Sequence, residues 1–211
     1  MDVYPRGPDR DMYYSGRKKK HTINVQFVCG PDGLFYDVVA KYPGSHHDST
    51  IFKKSAICRY LKNANIPQYH LLADGGYTCA NFVLTPLRLP PNGAVGLSVG
   101  ERRYQASQRK TRAFIERVFG RYKKKFGVLR DNNLRLLMKS NQTVIIACTV
   151  LWNFLLDEEE MLPADNLLEV HEEVHQDDEV QVIEGQGYEV NCAKRTNLIQ
   201  HYFEHANLAA V

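Results

Sequence analysis

The strongest constraint on this chain is a run of strict alternation over residues 22–29. Ile23, Val25, Phe27 and Cys29 fall on one face, and Thr22, Asn24, Gln26 and Val28 on the other. Side chains of an extended chain point alternately to opposite faces, so a period of two predicts a half-buried strand. Pro31-Asp32-Gly33 comes next as a turn, and residues 34–42 resume the extended pattern. The pair reads as an antiparallel hairpin, ended by Pro43-Gly44-Ser45.

Beyond the hairpin the chain alternates helix and strand. Asp48, Ser49 and Thr50 are candidate caps for a helix whose inner face is Ile51, Cys58 and Leu61 with Ser55 between, ending near 63–67. Residues 70–73 form a short apolar run stopped by Asp74-Gly75-Gly76, a buried strand with an aspartate at its carboxyl end. Residues 84–100 are rich in Pro and Gly and read as a loop. The 4-3-4 spacing of Ile115, Phe119, Tyr122 and Phe126 predicts a helix over 109–127. Ser140 or Asn141 caps a final core helix through 155, and 197–203 form a short terminal helix. This order predicts an α/β domain with a mixed sheet and flanking helices, spanning 1–156. An acidic tail (157–190) and a C-terminal segment (191–211) complete the chain.

Charge separates these regions. Residues 1–156 hold 25 Lys and Arg against 10 Asp and Glu, a balance of +15, while 157–189 hold 13 acids and no Lys or Arg. A folded part this basic wants a polyanion, usually nucleic acid. The acidic stretch is expected to be solvated and without a core of its own. The five cysteines include no C-x-x-C pair and are odd in number, which argues against a zinc knuckle and a disulfide framework and for a reducing compartment, cytosolic or nuclear. The longest apolar stretch, 143–156, is interrupted by Asn153 and suits a buried helix better than a membrane span. The first residues lack a secretory pattern.

Three carboxylates have settings suited to chemistry. Asp74 sits where a strand stops before two glycines, a place where ligands gather in open α/β sheets; the ordinary alternative is a turn aspartate. Glu116 stands among 11 Lys and Arg over residues 101–130, opposed elsewhere only by Glu101. On a helix it shares a face with Arg112, Gly120 and Lys123, as a lone carboxylate suited to a metal that must meet phosphate or as a surface glutamate in salt bridges. Asp48 is a metal ligand or a plain N-cap. His46 and His47 lack the further ligands that zinc needs. Arg17, Lys18, Lys19 and Lys20, with Arg112, Arg121, Lys123 and Lys124, are candidate phosphate contacts; the runs also suit a solvated face or a nuclear localisation signal. Tyr13 and Tyr14 stack on bases or pack in the core.

Taken in order, several segments resemble the DDE endonuclease domain of PIF/Harbinger transposases. They are Tyr14-Ser-Gly-Arg-Lys-Lys-Lys-His21, Asn24-Val-Gln26, Pro43-Gly-Ser-His-His-Asp-Ser-Thr-Ile-Phe52, Leu71-Leu-Ala-Asp-Gly-Gly-Tyr77 and Thr85-Pro86. Arg112-Ala-Phe-Ile-Glu-Arg-Val-Phe-Gly120, Lys123 and Leu151-Trp-Asn153 complete the set. The resemblance implies an RNase H-like core and phosphodiester cleavage with two Mg²⁺ or Mn²⁺ ions. Asp74 matches the second catalytic aspartate, Glu116 the final glutamate and Asp48 a further metal ligand, and the resemblance implies that the three lie close together. It also implies DNA as substrate, a Myb-like partner protein and a nuclear location. The family's first aspartate belongs to an Asp-Gly-Thr-His-like motif, and nothing before Arg17 matches it. The expectation is therefore an RNase H-like sheet lacking its first strand, with an open edge, weak Mn²⁺ binding and no cleavage by this chain alone.

Overall fold

A computed structural model describes residues 1–3, 8–16, 19–64, 66–88, 96–130, 134–158 and 192–204. Arg17, Lys18 and nearly all of the acidic tail lie outside them. The chain forms two compact units, the first from residues 1–63 and 114–169, the second from 64–113 and 170–211.

The first unit is built on the hairpin that the alternation predicts. A 3-10 turn (Pro8–Tyr13) leads to β1 (Tyr14–Ser15) and β2 (Lys20–His21), then β3 (Ile23–Cys29) pairs antiparallel with β4 (Phe35–Pro43). Asp32 Oδ1 accepts the Leu34 N–H at 3.0 Å, and Gly33 turns the chain at φ +80°, where a side chain would be strained. The apolar face of the hairpin meets two helices, α3 (Val99–Lys125) and α4 (Met138–Glu158). Ile23, Phe35, Val118, Tyr122, Ile145, Cys148, Trp152 and Leu156 form one buried cluster, with Val25, Phe27, Cys29 and Phe119 packed on it. Tyr13 also packs there, whereas Tyr14 is exposed against His21.

Several sequence expectations are revised. Rather than one mixed sheet, the described residues form three two-stranded sheets: β1–β2 and β3–β4, both antiparallel, and a parallel pair in the second unit. Strands of two residues are too short to knit a continuous sheet. The helix expected over 48–63 is two, α1 (Asp48–Lys54) and α2 (Ala56–Ala64). Ser55 separates them at ψ 157°, donating to Phe52 O at 2.7 Å and accepting the Cys58 N–H at 3.2 Å, so its hydroxyl closes one helix and opens the next. His47 is the N-cap of α1, and Asp48 lies in its first turn. α3 begins ten residues earlier than its apolar spacing suggests. A reciprocal capping box starts it: Ser98 N–H donates to Glu101 Oε2 at 2.7 Å, and Glu101 N–H to Ser98 Oγ at 3.1 Å. Asn141 lies inside α4 rather than capping it. Fully buried, it clamps the preceding turn by exchanging hydrogen bonds with the Leu136 backbone.

The edge of β3 opposite β4 has a neighbour at Ile23. The Met1 ammonium donates to Ile23 O and Ile23 N–H to Met1 O, at 3.0 and 2.9 Å, while Val3 N–H donates to His21 O. Asp2 bridges Thr22 antiparallel, its carboxylate paired with Lys20, and Val3 bridges Leu134 in parallel. A three-residue segment thus covers the start of the edge that the sequence leaves open.

In the second unit β5 (Leu71–Leu72) pairs in parallel with β6 (Val83–Leu84), beside the first part of α3. α5 (Ala193–Leu198) runs into a π-helical turn (Ile199–Glu204), starting earlier than the predicted terminal helix. No described helix is long and apolar enough to cross a membrane.

Burial in these units sets an alkaline limit on stability. It pushes the Cys29 thiol from 9.0 up to about 12, with Asp32 adding to the rise, and pushes up the Tyr122 and Tyr104 phenols. Groups whose folded pKa is raised contribute stability that is full below the unfolded value and lost as pH rises through the folded one. Chain stability is expected to hold to about pH 9 and fall towards pH 12. Cys29→Ala should move the loss to higher pH, and a circular-dichroism titration that is flat to pH 12 would contradict this assignment.

Candidate functional site

In the first unit, the turn after β4 is tied to β3 by one side chain. Asn24 Nδ2 donates to His46 O at 3.0 Å and to Asp48 Oδ1 at 2.6 Å, and the His46 ring lies 5.5 Å from that of Tyr42. Gly44 N–H donates to Thr22 O at 2.7 Å. The Asn-Val-Gln and Pro-Gly-Ser-His-His-Asp segments, separate in sequence, are therefore one structural feature, which fixes Asp48 at the amino end of α1. The helix dipole favours a carboxylate there. Gln26, from the same strand face as Asn24, is buried with neither end of its amide hydrogen-bonded among the described residues.

Glu116 occupies the exposed side of α3. The opposite side, Val118 and Tyr122, is buried, and nothing lies within 4 Å of a side chain built at Gly120. Gly120 thus leaves room beside the carboxylate. Lys123 and Lys124 are exposed on the same helix, Arg121 and Arg112 are half-buried, and Arg130 donates to the carbonyls of Lys123 and Lys124. Lys19 is exposed in the β1–β2 turn, while Lys20 pairs with Asp2.

In the second unit, Asp74 lies just past β5, as the sequence predicts. Ala73 N–H donates to Leu84 O at 2.9 Å and Gln108 Nε2 to Ala73 O at 2.8 Å, so the residue before Asp74 is held from two sides. Asp74 Oδ1 accepts the Gly76 N–H at 2.8 Å, closing a turn over its own loop. A side chain built at Gly75 would meet nothing within 4 Å, which leaves that flank of the loop open. Thr85, of the Thr-Pro segment, accepts the Tyr104 hydroxyl at its carbonyl, 2.9 Å away. The buried Gln108 is a positioning residue without a signal in the apolar pattern.

Asp48 and Glu116 thus belong to the first unit and Asp74 to the second. All three are hard oxygen donors of the kind Mg²⁺ and Mn²⁺ take. Among the described residues no three His, Cys, Asp or Glu side chains are grouped to hold a metal ion. The donor chemistry of the three carboxylates fits a divalent cation.

The family model described as "DDE superfamily endonuclease" matches residues 3–153, a span that holds Asp48, Asp74 and Glu116. HARBI1 of Bos taurus is 27% identical over 160 residues, 74% of this chain and 44% of that protein. HARBI1 of Mus musculus is 29% identical over 150 residues, 70% of this chain and 41% of that protein. An ALP1-like protein of Arabidopsis thaliana is 23% identical over 174 residues, 76% and 41% of the respective chains. The chain therefore spans less than half the length of these relatives. No solved structure matches. On the family match over most of its length, this chain belongs to the DDE superfamily endonucleases, in the group of Harbinger transposase-derived proteins.

Proposed function

We propose that the chain carries catalytic carboxylates of a nuclear, divalent-metal-dependent DNA endonuclease, with Asp74 and Glu116 as metal ligands and Asp48 as a third. The supporting observation is the family match across all three positions, joined to their settings. Asp74 is braced at a strand end beside an open glycine loop, and Glu116 stands on an exposed basic helix face. Bound Mg²⁺ or Mn²⁺ would supply charge stabilisation to the attacking and leaving oxygens of an in-line displacement. The chain's own cations, Lys19, Arg112, Arg121, Lys123 and Lys124, together with Arg17, Lys18 and Lys20, would hold the phosphate backbone. An RNase H-like core and a Myb-like protein that reads the DNA sequence belong to the same proposal.

The test is nicking of supercoiled plasmid in Mn²⁺ by the chain extended at its amino end with a strand carrying an Asp-Gly-Thr-His motif, so that a first carboxylate is supplied. Nicking is expected, and Asp74→Asn and Glu116→Gln should each abolish it while DNA is still bound. Binding without nicking would favour a catalytically inactive copy that acts by holding DNA or a partner. Binding itself should fall steeply with salt, since neutralising phosphates releases counterions. Neutralising the acids of 157–189 should leave affinity unchanged or raise it, measured by fluorescence anisotropy at several salt concentrations. No binding at low salt would refute the basic surface as a DNA contact.

A further inference from the structure

Cys79 and Cys192 are distant in sequence and meet in the second unit. Both are buried, at 9% and 3% exposure, and with Leu84 they form a small apolar cluster. Their side chains lie close enough for each thiol to act on the other. Cys79 ends the loop that begins at Asp74. Cys192 begins the C-terminal segment 192–204, which lies beyond the residues matched by the family model. That segment is docked at many points. Lys194 Nζ donates to Pro67 O and Tyr69 O at 2.6 and 2.9 Å, Arg195 Nη1 donates to Pro86 O at 3.2 Å, and Phe203 lies edge-on to Tyr104 at 5.9 Å. Gly100 meets the segment so closely that an added Cβ would sit 2.4 Å from Glu204 Cγ.

We infer that Cys79 and Cys192 form an oxidisable dithiol, which on oxidation by a peroxide locks segment 192–204 onto the loop that carries Asp74. The reaction balances with hydrogen peroxide as oxidant. The Cys192 thiolate attacks one peroxide oxygen, giving a sulfenic acid and, with a proton, water. The Cys79 thiol then displaces hydroxide from that sulfur, forming the S–S bond and a second water. Two thiols lose two electrons and the peroxide gains them.

Burial shapes the selectivity. It raises the Cys192 thiol, helped by Cys79 Sγ as acceptor for its S–H, while the backbone N–H and charge of Arg195 draw it down. The raised Cys192 thiol is held protonated at neutral pH, so oxidation should be slow there and faster in mild alkali. A small oxidant reaches the pair more readily than a bulky one. Cys58, at 1% exposure, is not in this cluster and should react last.

The inference does not depend on nuclease activity and is tested without it. The full chain is treated with hydrogen peroxide, digested without reduction and mapped by mass spectrometry, while hydrogen exchange is followed over 192–204. A Cys79–Cys192 peptide is expected as the main intramolecular disulfide. A cross-link closing so long a loop should slow exchange in the segment about tenfold or more, reversed by dithiothreitol. Cys192→Ser and Cys79→Ser, each checked for an unchanged thermal transition, should lose both signals. No linked peptide, the same yield of other pairings, or slowed exchange that persists in Cys192→Ser would overturn the inference. Should the serine variants unfold, the peptide map and exchange of the unsubstituted chain decide it.

Discussion

Trp152→Ala is expected to destabilise the first unit by about 3–5 kcal/mol, the cost of removing a large aromatic from a core that cannot collapse around the gap. Trp152 is 5% exposed, with its ring 5.8 Å from Tyr122 and 6.3 Å from Phe35. Its Nε1 donates to Gly33 O at 3.0 Å, which reaches from α4 to the tip of the β3–β4 hairpin. The next residue repeats the link: Asn153 accepts the Phe35 N–H and donates to Phe35 O, at 2.9 and 2.8 Å. The Leu-Trp-Asn segment is thereby assigned to holding the hairpin on the helices. Trp152→Phe keeps most of the apolar contact and loses the donor, so roughly 1–3 kcal/mol is expected there. Urea unfolding followed by circular dichroism measures both. A loss below about 1 kcal/mol for Trp152→Ala would mean that this packing is not what secures the unit.

Gly44→Ala should be the other severe substitution, destabilising by about 2–3 kcal/mol and displacing the turn that presents Asp48. A Cβ at position 44 would lie 1.7 Å from Thr22 Oγ1, 2.8 Å from Thr22 Cβ and 2.9 Å from Thr22 O. Thr22 is 1% exposed and bridges Asp2, so it has little freedom to yield. Thr22→Ala removes the shortest contact and leaves the other two. The double variant should recover part of the loss, a coupling of about 1–2 kcal/mol in a double-mutant cycle. Trp152, the sole tryptophan, reports the unfolding of this unit by fluorescence. Additive single effects would show that the Thr22 hydroxyl is not the obstacle.

The alternation over 22–29 was enough to define β3, its buried face and, with Pro31-Asp32-Gly33, its turn and partner, because period two and turn chemistry are local properties. Asp74 at a strand end and Glu116 on the polar side of a helix were legible for the same reason. The helix over 99–108 was not, since its only buried side chains are Tyr104 and Gln108 and no apolar stripe announces it. The break at Ser55 was equally hidden, because it rests on one hydroxyl serving two helices.

The hairpin, the helical faces, the charge separation and the order of motifs that marks the family are all written in the amino-acid order, because each is carried by neighbours along the chain. Folding alone settles that Asn24 holds Asp48, that Met1–Val3 line the start of β3 and that Cys79 meets Cys192. Those pairings are made by residues far apart in sequence, and burial and hydrogen-bond satisfaction choose them only once the chain has closed on itself.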